Sequence, residues 1–201
     1  MNLYDIIIAP DPALKAEAQA INDITDDVRK QMDRMLATMY DAPGIGLAAN
    51  QVGLLNRVVV MDVHPDSWAY AGEDSSGVLK IESQYRSGED DTVEDRSEET
   101  HPLIMANPEI VHESEQRSVF DEGCLSLPGQ FGTVERPAKV RVKYLDYDGK
   151  QQELEAEGLL SHCIQHEMDH LDGILFVDYL SSLKRNMIIR KMEKLKKQRL
   201  L

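Results

Sequence analysis

Gly158-Leu159-Leu160-Ser161-His162-Cys163-Ile164-Gln165-His166-Glu167-Met168-Asp169-His170-Leu171 decides how this chain is read. Gly158 precedes a run predicted to be helical from Leu159 to about Leu171, and inside it lies an H-E-x-x-H string, His166 to His170. A helix places residues i and i+4 one above the other on one face. Two imidazoles at that spacing can grip one metal ion, with Glu167 close enough to take a proton from a water on that ion. The string therefore points to metal-assisted hydrolysis; the alternative is a solvated helix that carries two His and some acids by chance. His162 shares the same face, but eight residues of helix separate it from His170 by roughly 12 Å along the axis, too far for one ion to bind both. Asp169 has two open readings, a carboxylate that supports a ligand or part of a solvated face.

A hydrolytic site needs a third protein ligand and an open fourth position. Cys124, in Glu122-Gly123-Cys124-Leu125-Ser126, is the best candidate. A thiolate suits a borderline divalent ion, and Gly123 lets backbone approach closely. Alone, such a Cys would be read as a small buried hydrophobe. Cys163 is read as a pocket-lining or core thiol. Upstream, Gly44-Ile45-Gly46-Leu47-Ala48-Ala49-Asn50-Gln51-Val52-Gly53 is a run of small residues between a helix and a strand. It lacks the Gly-Lys-Ser or full G-x-G-x-x-G of a phosphate loop. Gln51 offers an amide donor to an oxyanion.

The rest of the 201-residue chain fits one α+β domain. Thr25 or Asp26 caps a helix reaching about Tyr40, and Val28, Met32, Met35, Leu36 and Met39 form its core stripe. Asp41-Ala42-Pro43-Gly44 stops it. Arg57–Val63 reads as a buried strand. Leu103–Met105 and Ile110-Val111 read as strand pieces around Asn107-Pro108. Lys139–Leu145 alternates as a half-buried strand, with Asp148-Gly149 turning into a partner over Gln151–Glu157. A last helix from Ser181 or Ser182 carries Lys184, Arg185, Arg190, Lys191, Lys194, Lys196, Lys197 and Arg199, with Leu183, Met187, Ile188, Met192 and Leu195 as its apolar side. From about 64 to 101 runs an acidic stretch with few apolar residues, including Glu89-Asp90-Asp91; it reads as a mobile insertion. Val78–Ile81 is the one candidate for a short strand or turn within it. His64, His101 and His112 are expected at the surface. A net charge of -14 argues against broad nucleic-acid binding. Two Cys are too few for a disulfide framework and suggest a reducing compartment. Ile6–Ile8 is too short for a signal core or a membrane span, so the expected location is the cytoplasm.

Taken together, Gly44-Ile45-Gly46-Leu47-Ala48-Ala49-Asn50-Gln51, Glu122-Gly123-Cys124-Leu125-Ser126 and Gln165-His166-Glu167-Met168-Asp169-His170 resemble, in this order, the three motifs of the peptide deformylase family. The resemblance spans most of the chain and leaves out the acidic stretch. It implies antiparallel sheets surrounding a central metal-binding helix, followed by a C-terminal helix. It implies Cys124, His166 and His170 as ligands of one divalent ion, ferrous iron by resemblance, with Zn2+, Ni2+ or Co2+ able to occupy the same site. Glu167 becomes the general base and then the acid, and Gln51 and the Leu125 N–H the oxyanion donors. Ile45, Gly46, Glu122, His162 and Cys163 fall on substrate-binding positions, and the peptide would add as an extra strand. At 162 the family more often has an apolar or small hydroxyl residue. Phe131 stands where some relatives carry an Arg that binds substrate backbone.

The implied reaction removes the formyl group from the N-terminal methionine of nascent proteins and releases formate, with the basic C-terminal helix docking on the ribosome. A general metallopeptidase is the first rival; the Cys ligand and Gln51 argue against it. A non-enzymatic binding relative is the second; the complete ligand set and Glu167 argue against that.

Overall fold

The computed structural model describes residues 2–63, 69–73, 79–82 and 101–199. Among the described residues three α-helices and nine strands lie in the order α1 (Asp26–Asp41), β1 (Gly46–Ala48), β2 (Val58–Met61), β3 (Ala69–Glu73), β4 (Leu79–Glu82), β5 (Leu103–Glu113), β6 (Arg117–Gly123), β7 (Phe131–Pro137), β8 (Lys139–Leu145), β9 (Gln151–Glu157), α2 (Gly158–Leu171) and α3 (Ser182–Arg199). Seven strands form one sheet in the order β1-β2-β5-β8-β9-β4-β3, and β6 pairs with β7 in a second. The fold is α+β, and the pairings are antiparallel except β4 with β9. No helix among the described residues is long and apolar enough to cross a membrane.

The apolar run of β2 has a simple cause: helices cover both faces of the sheet there. Val58 and Val60 pack with Met32, Met35 and Met39 of α1, while Val59 and Met61 pack with Leu160, Ile164, Met168 and Leu171 of α2. Successive side chains of a strand point to opposite faces, so both registers must be apolar. The Met stripe of α1 is therefore core. Thr25 caps α1 by accepting from the Val28 N–H, and Gly44 closes its end by donating to Met39.

β5 runs unbroken through Asn107-Pro108, where two strand pieces were expected. Register shifts between Ala106 and Glu109 and between Ile110 and His112 absorb the proline, which has no N–H for a ladder and is tolerated at bulges. Asn107 takes φ 50 there, and its amide both accepts from the Ile21 N–H and donates to the Ile21 carbonyl. The β8–β9 hairpin has the expected ends, Lys139 opposite Glu157 and Leu145 opposite Gln151, with Gly149 at φ 81 in the turn.

Two differences from expectation concern α3 and the acidic stretch. Only Ile188 and Met192 of the expected apolar side of α3 are buried, with Leu195 half-buried; Leu183 and Met187 are exposed. Ile188, Met192 and Leu195 share one face at helical spacing, whereas Leu183 and Met187 fall on another. Ile188, Met192 and Leu195 pack into a separate cluster with Leu14, Leu127, Phe176 and Val177. Within the acidic stretch, β4 is the short strand expected over Val78–Ile81, with Val78 outside the described residues; unexpectedly, it and β3 extend the large sheet, β4 lying parallel to β9 from Leu79–Leu154 to Ile81–Ala156. The expected mobility of that stretch otherwise falls on 64–68, 74–78 and 83–100, outside the described residues, as does His64. His101 and His112 are exposed.

Candidate metal centre and substrate cleft

α2 carries His166 and His170 one turn apart, their rings 4.9 Å apart and nearly perpendicular. Cys124 meets them from the turn that leaves β6, a turn closed by the Leu127 N–H donating to the Cys124 carbonyl at 2.9 Å. One donor atom from each of Cys124, His166 and His170 lies within 4.8 Å of the others. Cys124 Sγ stands 3.3 Å from His170 Nε2, about the edge length of a tetrahedron built on bonds of roughly 2.0–2.3 Å. The expected trio is brought together; His162 lies outside it. A thiolate and two imidazoles suit a borderline divalent ion and leave a fourth position free.

His166 Nδ1 donates to Glu122 Oε2 at 2.8 Å, which leaves Nε2 with its lone pair for a metal. Glu122 was expected among the substrate contacts. It borders the cleft, but both its oxygens are engaged by the protein: Arg136 Nε reaches Oε1 at 2.6 Å, Arg136 Nη2 reaches Oε2 at 3.0 Å, and His162 Nδ1 lies 3.3 Å from Oε1. Burial pushes the Glu122 carboxyl up, yet hydrogen bonds from Arg136, His162 and His166 win and hold it well below the usual carboxylate range. Asp169 follows neither open reading in full. It accepts from Arg136 Nη1 at 2.8 Å and from the Tyr179 hydroxyl at 3.1 Å, so it steadies the arginine that steadies Glu122.

Arg136 was not singled out from the sequence. Its signal lies in β7: Val134 and Arg136 share the inward register of that strand, and both are buried. A cation in an inward register calls for buried anions, and these are Glu122 and Asp169.

Glu167 is buried beside the ligands, and burial pushes its carboxyl up to about 7. Among the described residues Glu167 Oε2 has no hydrogen-bond partner. Gly46 makes room for it: a Cβ at 46 would sit 2.2 Å from Glu167 Oε1. Gln51 is only 1% exposed and its orientation is fixed, because Oε1 accepts from the Ala48 N–H at 2.8 Å. Its Nε2 then points at Ser126 Oγ (3.2 Å) and Cys124 Sγ (3.4 Å). These groups open into a cavity of about 470 Å3, with Leu125, His162 and Cys163 also on its wall. Ile45 and Phe131, 47% and 65% exposed, stand on its rim, and β1 is the outermost strand of the large sheet beside it. Cys163 Sγ lies 3.6 Å from the Ile45 carbonyl, and burial pushes its thiol up.

A thiolate–imidazole trio next to a buried carboxyl defines a metallohydrolase type of site, carried here on a helix that packs on a largely antiparallel sheet and meets the β6–β7 pair. The chain belongs to the polypeptide deformylase family, whose model matches residues 3–186. It is an enzyme, a peptide deformylase by descent and by fold. It is 44% identical to the peptide deformylase of Rhizobium meliloti (strain 1021), over 99% of this chain and 97% of the relative. It is 46% identical to that of Bradyrhizobium diazoefficiens, over 98% and 99% of the two chains. The crystal structure of peptide deformylase from Ehrlichia chaffeensis superposes with a TM-score of 0.81 at 34% identity, covering 100% of both chains. The same protein in complex with actinonin gives 0.79, covering 96% of this chain and 98% of that one.

Proposed function

We propose that Cys124, His166 and His170 hold one divalent ion, ferrous iron in the cell, and that Glu167, Gln51 and the Leu125 N–H act around it on an N-formyl-methionyl peptide. When bound, the ion supplies Lewis acidity toward a water and toward the formyl oxygen. The other work belongs to side chains of this protein. Glu167 removes the proton of the attacking water and returns it to the leaving amine nitrogen, so that formate and a free N-terminus are released. A carboxyl raised to about 7 suits both transfers near neutral pH. Gln51 Nε2 and the Leu125 N–H donate to the oxygen on which negative charge develops. The peptide backbone lies along the free edge of β1 at Ile45 and Gly46. The methionine side chain enters the cavity toward His162 and Cys163.

The mutual approach of three ligand atoms, with a buried, unpartnered Glu167 oxygen on a residue that lines the same cavity, carries this reading. Its test is formate release from a formyl-Met tripeptide, set against the acetylated and unblocked forms. Metal removal should abolish formate release, and added Fe2+ or Co2+ should restore it. Equal cleavage of the unblocked peptide would favour a metallopeptidase instead.

The proposed partner is the ribosome, contacted in the cytoplasm through α3. Lys184, Arg190, Lys194 and Lys197 are exposed on that helix. Lys196 instead ties it to the body, donating to Asp11 Oδ2 at 2.8 Å and to the Pro10 carbonyl at 3.1 Å.

A further inference from the structure

β6 turns Ser118, Phe120 and Glu122 to one face, since strand side chains repeat every second residue, and all three close on the His162 ring. Ser118 Oγ lies 2.9 Å from His162 Nε2, the Phe120 ring centroid lies 4.5 Å from that of the imidazole, and Glu122 Oε1 lies 3.3 Å from Nδ1. An ionised carboxylate only accepts hydrogen bonds. Nδ1 therefore carries the proton that goes to Glu122, and the Ser118 hydroxyl is the hydrogen-bond partner of Nε2. His162 and His166, one helical turn apart, thus present Nδ1 to the two oxygens of a single carboxylate, His162 to Oε1 and His166 to Oε2. Arg136 supplies one further donor to each oxygen. Glu122 holds four hydrogen bonds, about its full capacity.

We propose that His162 is a positioning residue for the metal ligand His166, acting through Glu122. Arg136 bonds both oxygens, Nε to Oε1 and Nη2 to Oε2, so each oxygen needs a second donor to balance it. His162 supplies the opposing pull on Oε1, and with it the carboxylate plane keeps Oε2 on His166 Nδ1. Without that donor the carboxylate turns toward Arg136, and His166 loses the bond that sets its ring orientation. The small size of Ser118 and the shared register of three alternate β6 positions fit this clamp. A mere wall of the methionine pocket would be served by an apolar residue at 162, with no call for a hydroxyl and a carboxylate on the two ring nitrogens. The proposal rests on Cys124, His166 and His170 being the ligands.

The test uses Co2+ added to the metal-free full chain, read by chelator competition and by the visible absorption of the bound ion. Co2+ binding by the wild type, lost in His166→Ala, checks the ligand set on its own; no binding by the wild type would overturn both that reading and the proposal. His162→Leu should weaken Co2+ affinity about tenfold, the low end for loss of a ligand's supporting partner, and should alter the absorption bands. Its kcat should fall, over and above any change in KM that the altered cavity wall brings. In His162→Asn the amide nitrogen takes the place of Nδ1, and affinity should return to within about threefold of wild type. Ser118→Ala should weaken affinity in the same direction as Leu but less. Should the Leu variant not fold, unchanged affinity in Ser118→Ala together with a loss of tenfold or more in His162→Asn would overturn the proposal. Wild-type affinity and spectrum in a folded Leu variant, with only KM moved, would reduce His162 to a pocket wall and refute it.

Discussion

Gly46→Ala should cripple catalysis without touching a metal ligand. The added Cβ would lie 2.2 Å from Glu167 Oε1, 2.7 Å from its Cδ and 2.9 Å from its Cγ. Ordinary contact needs about 3.4 Å or more, so the carboxyl must retreat by roughly 1 Å or β1 must. β1 is held by its pairing with β2 from Gly46–Met61 to Ala48–Val59, and the Glu167 carboxyl is the end of a side chain with three torsions, so Glu167 moves. A displacement of about 1 Å at a reacting group costs on the order of 100-fold in rate, or about 2.7 kcal/mol of barrier. Overpacking should also take about 1–3 kcal/mol from stability. The assay is formate release at saturating formyl-Met peptide, beside metal content and a urea melt of the same preparation. The expected result is kcat down about 100-fold with a full equivalent of metal. A kcat within threefold of wild type in a metal-replete sample would refute the claim that Gly46 exists to seat Glu167.

Arg136→Met leaves the buried Glu122 and the half-buried Asp169 without the cation they share. It should cost about 3–5 kcal/mol of stability in urea unfolding, and a loss under about 1 kcal/mol would contradict the network. Tyr144 is buried, and burial, then the Asp146 carboxylate, push its phenol up to about 12. Unfolded, it titrates near about 10, so above that pH the unfolded chain loses its proton first and stability falls until about pH 12. Tyr144→Phe should flatten that decline in urea midpoints, and an unchanged slope would show that Tyr144 does not drive it. Replacing Lys184, Arg190, Lys194 and Lys197 together by Gln leaves Ile188 and Met192 packed. It should weaken salt-dependent ribosome sedimentation, the log–log salt slope dropping by about one per lost phosphate contact, with tripeptide turnover unchanged. Unaltered sedimentation would reject α3 as the docking element.

Elements whose side chains settle their own environment were legible from the sequence. The α1 cap and stop, the β8–β9 hairpin and the metal helix are local in cause: a Thr oxygen, a Gly with positive φ, an i,i+4 pair. That Cys124, His166 and His170 would come together was legible because the strings that carry them stood in a family-like order. What was not legible depends on partners distant in sequence. Glu122 looked like a pocket residue because nothing near it in the chain reveals Arg136, His162 and His166 as its donors. β4 joins the sheet through a parallel ladder with β9, some seventy-five residues away by number, which composition alone does not disclose. Leu183 and Met187 look like core on a helix wheel, but the cluster under α3 receives only the face with Ile188 and Met192.

The central claim is that Glu167 moves the proton while Cys124, His166 and His170 hold the metal. Glu167→Gln keeps the volume and removes the base, so one measurement decides: formate released per bound metal by that variant from a formyl-Met tripeptide. The account predicts one metal per chain and a turnover lower by about 10² to 10⁴-fold. Near-normal turnover with the metal in place would contradict it.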